Sequence, residues 1–93
     1  MKMDRDFEWD AAKATANEVK HGVPFPFAAR VFLDPAVLDI DAARPEDGEF
    51  RRKAVGMIGS RLFTVVFTTR GAATRLISTL WANASEERRY GSL

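Results

Sequence analysis

The pattern of apolar and polar positions in the second half of the chain predicts β-strands, beginning with a weak alternation at residues 37–41. Residues 62–69, Leu-Phe-Thr-Val-Val-Phe-Thr-Thr, are the clearest strand, because they are β-branched or aromatic almost throughout and apolar on both faces. We therefore expect them to form a central strand. Gly59-Ser60 predicts a tight hairpin before it, and the chain turns again at residues 71–74 after it. Four consecutive strands are predicted in all, at residues 37–41, 49–58, 62–69 and 75–81.

The N-terminal third shows helical signals instead. Asp10 is a candidate N-cap, because its carboxylate can accept hydrogen bonds from the first-turn amides, and Gly22 is placed to end the helix. The sequence predicts a helix from Asp10 to His21. Its buried stripe at i, i+4 and i+7 is expected to be Ala12, Ala16 and Val19. Its polar side is then formed by Lys13, Asn17, Lys20 and His21. This side is either an ordinary solvent-exposed face or part of a functional site.

Three shorter elements complete the pattern. Phe7 and Trp9 fall on one side of a short extended segment that we expect to be an edge strand leading into the helix. A second helix is predicted between Gly22 and the Asp34-Pro35 stop, with a buried face of Phe27, Val31 and Phe32. A closing helix is predicted at residues 84–90, with Ser85 as its candidate cap.

The predicted order is β-α-α-β-β-β-β-α, with helices segregated from consecutive strands. This order is typical of an α+β fold with one antiparallel sheet, two N-terminal helices and a short C-terminal helix. With 93 residues and no internal repeat, the sequence predicts a single domain spanning residues 1–93.

Composition narrows the function classes. The chain has no cysteine and one histidine, so neither a disulfide framework nor a thiolate or histidine metal site is expected, and no cofactor motif is present. No apolar run approaches the roughly 20 residues of a membrane span, and the N-terminus lacks the apolar core of a signal peptide. The expected compartment is therefore the cytoplasm, with no membrane partner.

Charge is distributed unevenly along the chain. Residues 1–50 hold 6 Lys/Arg and 11 Asp/Glu, whereas residues 51–93 hold 8 Lys/Arg and 2 Asp/Glu, which gives balances of −5 and +6. Seven of the eight C-terminal cations are arginines, whose rigid fork suits phosphate. The pattern indicates a basic surface that attracts a polyanion, unless the two sets of charges interleave in space and cancel.

Several of these cations are expected to converge at one end of the sheet. Folding the Gly59-Ser60 hairpin back places Glu49 and Arg51 beside Thr68 and Arg70, and Arg75 lies just beyond the next turn. Phosphodiester transfer needs proton carriers and cations at the phosphate; His21 and Glu49 are available for the first role and the arginines for the second. The alternative is that Glu49 forms an ordinary surface bridge with an arginine.

The residues also resemble a known family, the BrnT toxins. The resemblance is carried by Phe7-x-Trp9-Asp10-x-x-Lys13-x-x-x-Asn17-x-x-Lys20-His21-Gly22-Val23-x-Phe25 and by five shorter pieces in the same order. These are Ala28-x-x-Val31-Phe32-x-Asp34-Pro35, Gly48-Glu49-x-Arg51, Val65-Val66-Phe67-Thr68-x-Arg70-Gly71, Arg75-x-Ile77-Ser78 and Glu87-Arg88-Arg89-x-Tyr90. Together they span almost the whole chain.

The resemblance implies a fold like that of the RelE ribonucleases and metal-independent cleavage of RNA by a toxin of a type II toxin–antitoxin system. It also implies a partner antitoxin, BrnA, whose ribbon-helix-helix domain binds the operon DNA, so that DNA is contacted only indirectly. The working positions it implies are Lys20, His21, Glu49, Arg51, Arg70 and Arg88. Combined with the positions on the predicted helix and sheet, this gives His21, Glu49, Arg51 and Arg70 as the predicted catalytic residues. The predicted RNA-binding residues are Trp9, Lys13, Lys20, Arg75 and Arg88.

One segment departs from the family pattern. Many relatives carry Ala-Arg-Arg-Ala after the Ile-Ser pair, where this chain has Thr79-Leu80-Trp81-Ala82. With Leu80 and Trp81 in place of two arginines, the chain either binds RNA less tightly, stacks an RNA base on Trp81, or is an attenuated toxin. Trp81 can equally belong to the core.

The sequence leaves three hypotheses for function. They are an active ribonuclease toxin, a catalytically degenerate homologue that serves as a binding partner in a repressor complex, and a nucleic-acid-binding module with no toxin history.

Overall fold

A computed structural model of the chain describes residues 6–42 and 50–91. Five strands, three α-helices and one 3₁₀ helix follow one another in the predicted order. The strands are β1 (Asp6–Glu8), β2 (Leu38–Asp41), β3 (Arg52–Ile58), β4 (Arg61–Arg70) and β5 (Ala73–Trp81). The helices are α1 (Ala11–His21), α2 (Phe25–Ala28), the 3₁₀ helix Ala29–Leu33 and α3 (Ala84–Gly91).

The strands form a single sheet in the order β1-β5-β4-β3-β2. Strands β2 to β5 pair antiparallel as consecutive neighbours, which confirms the α+β fold. The sheet is nevertheless mixed, because β1 pairs parallel with β5 at the edge. A hairpin cannot join two parallel strands, and here the helices and three strands separate β1 from β5 in the chain.

Both predicted turns are present, with one change of length. Gly59 and Ser60 connect β3 to β4, and Gly59 has a φ of 61°, which glycine adopts without strain. The second turn is shorter than expected, because Arg70 already pairs with Ala73. Strand β5 contains a β-bulge where it pairs with β4. Val66 pairs with Ser78, but the next residue of β4, Phe67, pairs with Leu76, so the register shifts by one residue.

The predicted ends of α1 are confirmed. The carboxylate of Asp10 accepts a hydrogen bond from the backbone amide of Lys13 at 3.0 Å. At the other end Gly22 has a φ of 71°, and its N–H donates to the carbonyl of Glu18 at 2.7 Å. Local sequence therefore sets where this helix begins and ends.

The predicted buried face of α1 is wrong. Val19 is 85% exposed, and Ala12 and Ala16 are also exposed, whereas Asn17 is 8% exposed. At 100° per residue, the predicted stripe lies on the side of the helix opposite Asn17. Two alanines and one valine offer little apolar area, so their burial is outweighed by the hydrogen bonds that Asn17 makes to the sheet.

Asn17 fastens α1 to the middle of β5. Its Nδ2 donates to the carbonyl oxygen and to the Oγ1 of Thr79, both at 2.7 Å. Its Oδ1 accepts from the backbone N–H of Thr79 at 3.2 Å and from the Oγ of Ser78 at 2.9 Å. Thr79 Oγ1 in turn donates to the carbonyl of Val23 at 2.6 Å. One amide thus links the helix, the sheet and the segment after the helix.

The hydrophobic core lies between the sheet and the helices α1, α2 and 3₁₀, on the side that we call the helix face. Gly56 of β3 passes directly beneath the 3₁₀ helix, and a Cβ at Gly56 would lie 2.8 Å from the Cβ of Val31. Val31 is fully buried as predicted, but Phe27 is 37% exposed and its place is taken by Phe25. The other buried core members include Ala28, Ala29, Ala54, Ile58, Phe63, Val65, Phe67 and Leu76.

We predict that Asn17→Ala lowers the free energy of unfolding by about 2–3 kcal/mol, because it leaves buried polar groups of Thr79 unsatisfied. Val19→Ala, on the exposed side of the same helix, should change it by less than about 0.5 kcal/mol. Urea denaturation of both variants measures the two values. A larger loss for Val19→Ala than for Asn17→Ala would show that the helix packs through the other face.

Candidate functional site

The side of the sheet opposite the helix face is crossed by α3, and we call it the cleft face. Alternate residues of β4 point to it, including Thr64, Val66, Thr68 and Arg70. A cleft of about 530 Å³ opens there between α3 and strands β2, β3 and β4. Its lining residues are Ile40, Asp41, Ala42, Arg51, Lys53, Val66, Asn83, Ser85, Glu86 and Arg89.

Three cations line this cleft: Arg51 and Lys53 from β3 and its start, and Arg89 from α3. The first two share a face because they are two residues apart in an extended segment. Arg89 reaches the cleft because it lies one helical turn beyond Glu86, which is buried against the sheet. The cleft can therefore present several positive charges to one anionic group, with two carboxylates at its wall.

Glu86 holds the wall of the cleft together. Its side chain is 6% exposed; Oε1 accepts from Thr64 Oγ1 at 2.8 Å and from the N–H of Asn83 at 2.9 Å. Oε2 accepts from Lys53 Nζ at 3.1 Å. Asn83 Oδ1 returns a bond by accepting from the Glu86 N–H at 2.8 Å, which completes a capping box. Asn83 is therefore the cap of α3, and the prediction of Ser85 was wrong.

These contacts decide the charge state of Glu86. Burial by itself raises the pKa of this carboxyl, but the hydrogen bonds from Asn83, Thr64 and Lys53, together with the Lys53 charge, outweigh it and lower the pKa below its ordinary value of 4.5. Glu86 is consequently ionised at neutral pH. The Lys53 ammonium keeps a fixed partner at the wall, while its side chain stays 37% exposed to the cleft.

The far end of α3 is anchored by a second carboxylate. Tyr90 donates its hydroxyl to Asp34 Oδ2 at 2.6 Å, and the same oxygen accepts from the N–H of Met57 at 2.8 Å. The hydrogen bond to Asp34 raises the pKa of Tyr90. Partial burial raises the pKa of Asp34, but its hydrogen bonds outweigh this and lower it. With both ends of α3 fixed, the shape of the cleft is set by the fold.

Three of the predicted site residues lie on the cleft face at one end of the sheet. Extending the β3–β4 register by one residue sets Arg51 beside Thr68, and Thr68 pairs with Arg75 on β5. Adjacent strands are about 4.8 Å apart, so Arg51 and Arg75 are separated by about 10 Å across the sheet. Arg70 lies two residues beyond Thr68 on the same face. Glu49, the predicted neighbour of these residues, falls outside the described parts of the chain.

Cations on both faces of the sheet are partly neutralised. On the cleft face, Arg75 pairs with Glu8 of β1 at 3.3 Å and Lys53 pairs with Glu86. On the helix face, Arg52 pairs with Asp39 of β2. Two of these three acids come from the acidic first half of the chain. The charge asymmetry of the sequence is thus reduced in space, and the cleft owes its basic character to a few positions.

The structure does not bring the α1 residues to this cleft. His21 is half-buried at the end of α1, which packs on β5 from the helix face. It lies four residues, or about 6 Å, beyond Asn17 along the helix axis. Lys13 and Lys20 are exposed on the same helix, and Trp9 packs edge-on against Phe25 with centroids 5.9 Å apart. These four predicted positions lie on the opposite side of the sheet from Arg51 and Arg70.

On α3, the predicted residue Arg88 does not line the cleft, whereas its neighbour Arg89 does. Both side chains are exposed. Lys53 was also absent from the predicted set. Strand alternation puts Lys53 on the same face as Arg51 from the sequence alone. That α3 covers this face, and that Arg89 follows the buried Glu86 into the cleft, required the tertiary structure.

A family model described as "Ribonuclease toxin, BrnT, of type II toxin-antitoxin system" matches residues 9–86. The chain belongs to the BrnT family. No match is found among curated proteins. BrnT proteins are ribonuclease toxins of type II toxin–antitoxin systems, which implies an RNA substrate and an antitoxin partner.

The two positions that depart from the BrnT pattern point to different faces. Leu80 pairs with Thr64 on the cleft face, whereas Trp81 pairs with Phe63 on the helix face near the β3–β4 hairpin. The Trp81 ring packs against Phe63 with centroids 5.2 Å apart, and the guanidinium of Arg61 lies 4.5 Å from its centroid. Trp81 is 47% exposed, so it combines a packing role with a partly open edge. A base stacking on Trp81 would have to compete with Arg61.

Two further structural findings hold for residues 6–42 and 50–91. No group of three or more His, Cys, Asp or Glu side chains is arranged to hold a metal ion. No helix in these segments has the length and apolar character needed to cross a membrane.

We predict that Glu86→Gln destabilises the protein at pH 7 and that its difference from wild type shrinks in acid. The pKa of Glu86 is lowered by folding, so the ionised carboxylate stabilises the fold above the unfolded pKa. This contribution is lost as the pH falls through the folded-state pKa. Urea midpoints at pH 7 and at about pH 3.5 measure the change.

Glu87→Gln is the matched control, because Glu87 is the exposed next residue on the same helix. It should leave the midpoint close to wild type at both pH values. A Glu86→Gln deficit that stayed constant between the two pH values would mean that the charge of the carboxylate is not what secures α3.

Proposed function

We propose that this protein is a metal-independent endoribonuclease toxin and that RNA binds at the cleft face. The observation that carries the proposal is the convergence of Arg51, Lys53 and Arg89 on one cleft, with Arg70 and Arg75 at the adjoining end of the sheet. A volume of about 530 Å³ falls within the range of small-molecule sites and suits one nucleotide. Family membership supplies the substrate class.

Arginines can provide what the reaction requires at the phosphate. When the ribose 2′-hydroxyl loses its proton and attacks the adjacent phosphorus, the bond from phosphorus to the 5′-oxygen of the next nucleotide breaks, and that oxygen leaves as a protonated hydroxyl. Negative charge grows on the non-bridging oxygens during this exchange. Guanidinium groups of Arg51 and Arg70 would hold two oxygens each through bidentate hydrogen bonds, and would supply the positive charge that a metal supplies in other nucleases. Glu49 remains the predicted proton carrier beside them. His21 would have to act from the opposite side of the sheet, so the proposal does not depend on it.

A BrnA-like ribbon-helix-helix antitoxin is the proposed partner. The family belongs to type II systems, in which a protein antitoxin is expected to silence the toxin by binding it. We place the antitoxin over the basic cleft face, where it would exclude RNA. Operon DNA would then be contacted through the antitoxin and not through this chain.

A catalytically degenerate toxin is the second candidate. Position 80 faces the cleft side of the sheet, and there a leucine stands where many relatives carry arginine. In that case the chain would retain antitoxin binding but would not cleave RNA.

We predict that the purified chain cleaves single-stranded RNA and that cleavage persists in EDTA, because arginines carry the charge stabilisation. Expression of the chain without an antitoxin should arrest cell growth, and co-expression of the neighbouring antitoxin gene should restore it. Loss of cleavage in EDTA with recovery on adding a divalent ion would refute metal independence. Antitoxin binding without cleavage or growth arrest would favour the degenerate toxin.

We predict that Arg70→Ala lowers the cleavage rate by about 10²–10³ while leaving the thermal melt unchanged. Arg70 lies at the exposed end of β4, so its removal should not disturb the core. Arg70→Lys keeps the charge but loses the planar fork, and should recover part of the rate. Arg61→Ala, at the other end of the same strand, is the control and should cleave as wild type. Full activity of folded Arg70→Ala would remove Arg70 from the site.

A further inference from the structure

Exposed apolar side chains gather where the β3–β4 hairpin ends the sheet. In the described parts of the chain five large apolar side chains are exposed, and three of them, Phe27, Met57 and Trp81, lie here. Phe27 and Trp81 both pack against the buried ring of Phe63, with centroids 5.3 and 5.2 Å away. Exposed apolar groups that cluster mark an interaction site, whereas scattered ones need no explanation. We call this surface, with the neighbouring Arg30 and Arg61, the hairpin end.

The hairpin end has two cavities that share Met57. The larger, of about 330 Å³, borders Met57 and Trp81 and has Arg61 at its wall. The smaller, of about 270 Å³, also borders Met57 and reaches Arg30. One segment of a partner could therefore place side chains in both cavities, which is how interface anchors bury their apolar area.

Two arginines stand beside these cavities, and in residues 6–42 and 50–91 neither of them forms an ion pair. The Cζ of Arg61 lies 4.5 Å from the ring centroid of Trp81, and the Cζ of Arg30 lies 5.5 Å from that of Phe27. Both arginines are exposed. The rings hold the two cations in place through cation–π contacts and leave their N–H donors for carboxylates of a partner.

The chemistry of the hairpin end fits a protein segment that presents a large apolar side chain flanked by carboxylates. Trp, Met and Arg are the residues enriched in protein interfaces, and here they lie side by side. Nucleic acid fits less well, because a base that stacks on Trp81 has to displace Arg61. The exposed surface of Met57 would also gain nothing from a phosphate.

Resting on the proposed antitoxin partner, we infer that the hairpin end is an anchoring site for an acidic, apolar segment of that antitoxin. Strand β4 is ten residues long, so about 30 Å separates Arg61 at this end from Arg70 at the other. Helix α3 connects the two regions, because its Glu87 borders the larger cavity and its Arg89 lines the cleft. A partner lying across α3 therefore reaches both, and its anchor uses none of the residues assigned to RNA.

The affinity of the antitoxin for hairpin-end variants tests this inference. The probe is the purified antitoxin encoded by the neighbouring gene, titrated into each variant by calorimetry. Met57→Ala and Trp81→Ala should each raise the Kd by about tenfold or more, because each removes an apolar anchor contact. Arg61→Glu should raise it at least as much, because it sets a carboxylate against the carboxylates of the partner.

Val19→Ala is the matched control, because it also removes an exposed apolar side chain, on the side of α1 that faces away from the sheet. It should bind the antitoxin as wild type. Met57→Ala and Arg61→Glu should also cleave RNA at the wild-type rate, since neither touches the cleft. If Trp81→Ala fails to fold because it loses its contact with Phe63, these two variants decide the outcome.

Wild-type antitoxin affinity in folded Met57→Ala and Arg61→Glu would overturn the inference, whether or not the chain cleaves RNA. The same holds if these variants keep that affinity and lose only self-association, measured by ultracentrifugation, or only a non-cleavable 2′-O-methyl RNA probe. The surface would then serve a second copy of the chain or RNA.

The failure of the proposed function gives a different result. If the variants lose the antitoxin but the wild-type chain does not cleave RNA, the nuclease proposal fails and the anchoring site stands. If the antitoxin does not bind the wild-type chain, the proposed partner fails and the anchoring site fails with it.

Discussion

The hydrogen bonds of Asn17 to β5 are the constraint on which the arrangement of the helices depends. A buried amide makes a specific contact, because each of its polar atoms needs a partner of the right kind at the right distance. Here the partners are the backbone and side chain of Thr79 and the hydroxyl of Ser78. They fix how far α1 lies along β5 and which side of the helix faces the sheet. The exposure of Val19 follows from this choice.

A second buried polar group, Glu86, fixes a helix on the other face of the sheet, as Asn17 does on the helix face. Its carboxylate joins the start of α3 to β3 and β4, and so forms the wall of the cleft. An ionised group that is 4% exposed costs free energy unless it is fully bonded, and here it accepts three hydrogen bonds. The cleft is consequently a rigid feature of the fold, and its cations are held at defined positions.

The two faces of the sheet therefore have different roles. The helix face carries the core, and most of its aromatic residues pack against one another. The cleft face carries Arg51, Lys53 and Arg89, with Arg70 and Arg75 at the adjoining end. His21 and the lysines of α1 lie on the helix side of the sheet. The basic side chains of α1 are therefore separated by the sheet from the arginines of the cleft face. A ligand at the cleft would be held chiefly by arginines, which suit phosphate through their geometry as well as their charge.

The sequence by itself determined the elements and their ends. Asp10 and Gly22 bounded α1, Gly59-Ser60 set the β3–β4 hairpin, and the apolar run of β4 identified the central strand, because capping, turn geometry and strand alternation act between near neighbours in the chain. That hairpin register also placed Arg51 beside Thr68 without any tertiary information. Tertiary structure alone decided that Asn17 and not Val19 faces the sheet, that β1 joins it in parallel, and that α3 brings Arg89 into the cleft beside Lys53. Each of these depends on partners that are distant in sequence, such as Thr79 for Asn17 and Lys53 for Glu86. Local sequence patterns do not indicate such partners.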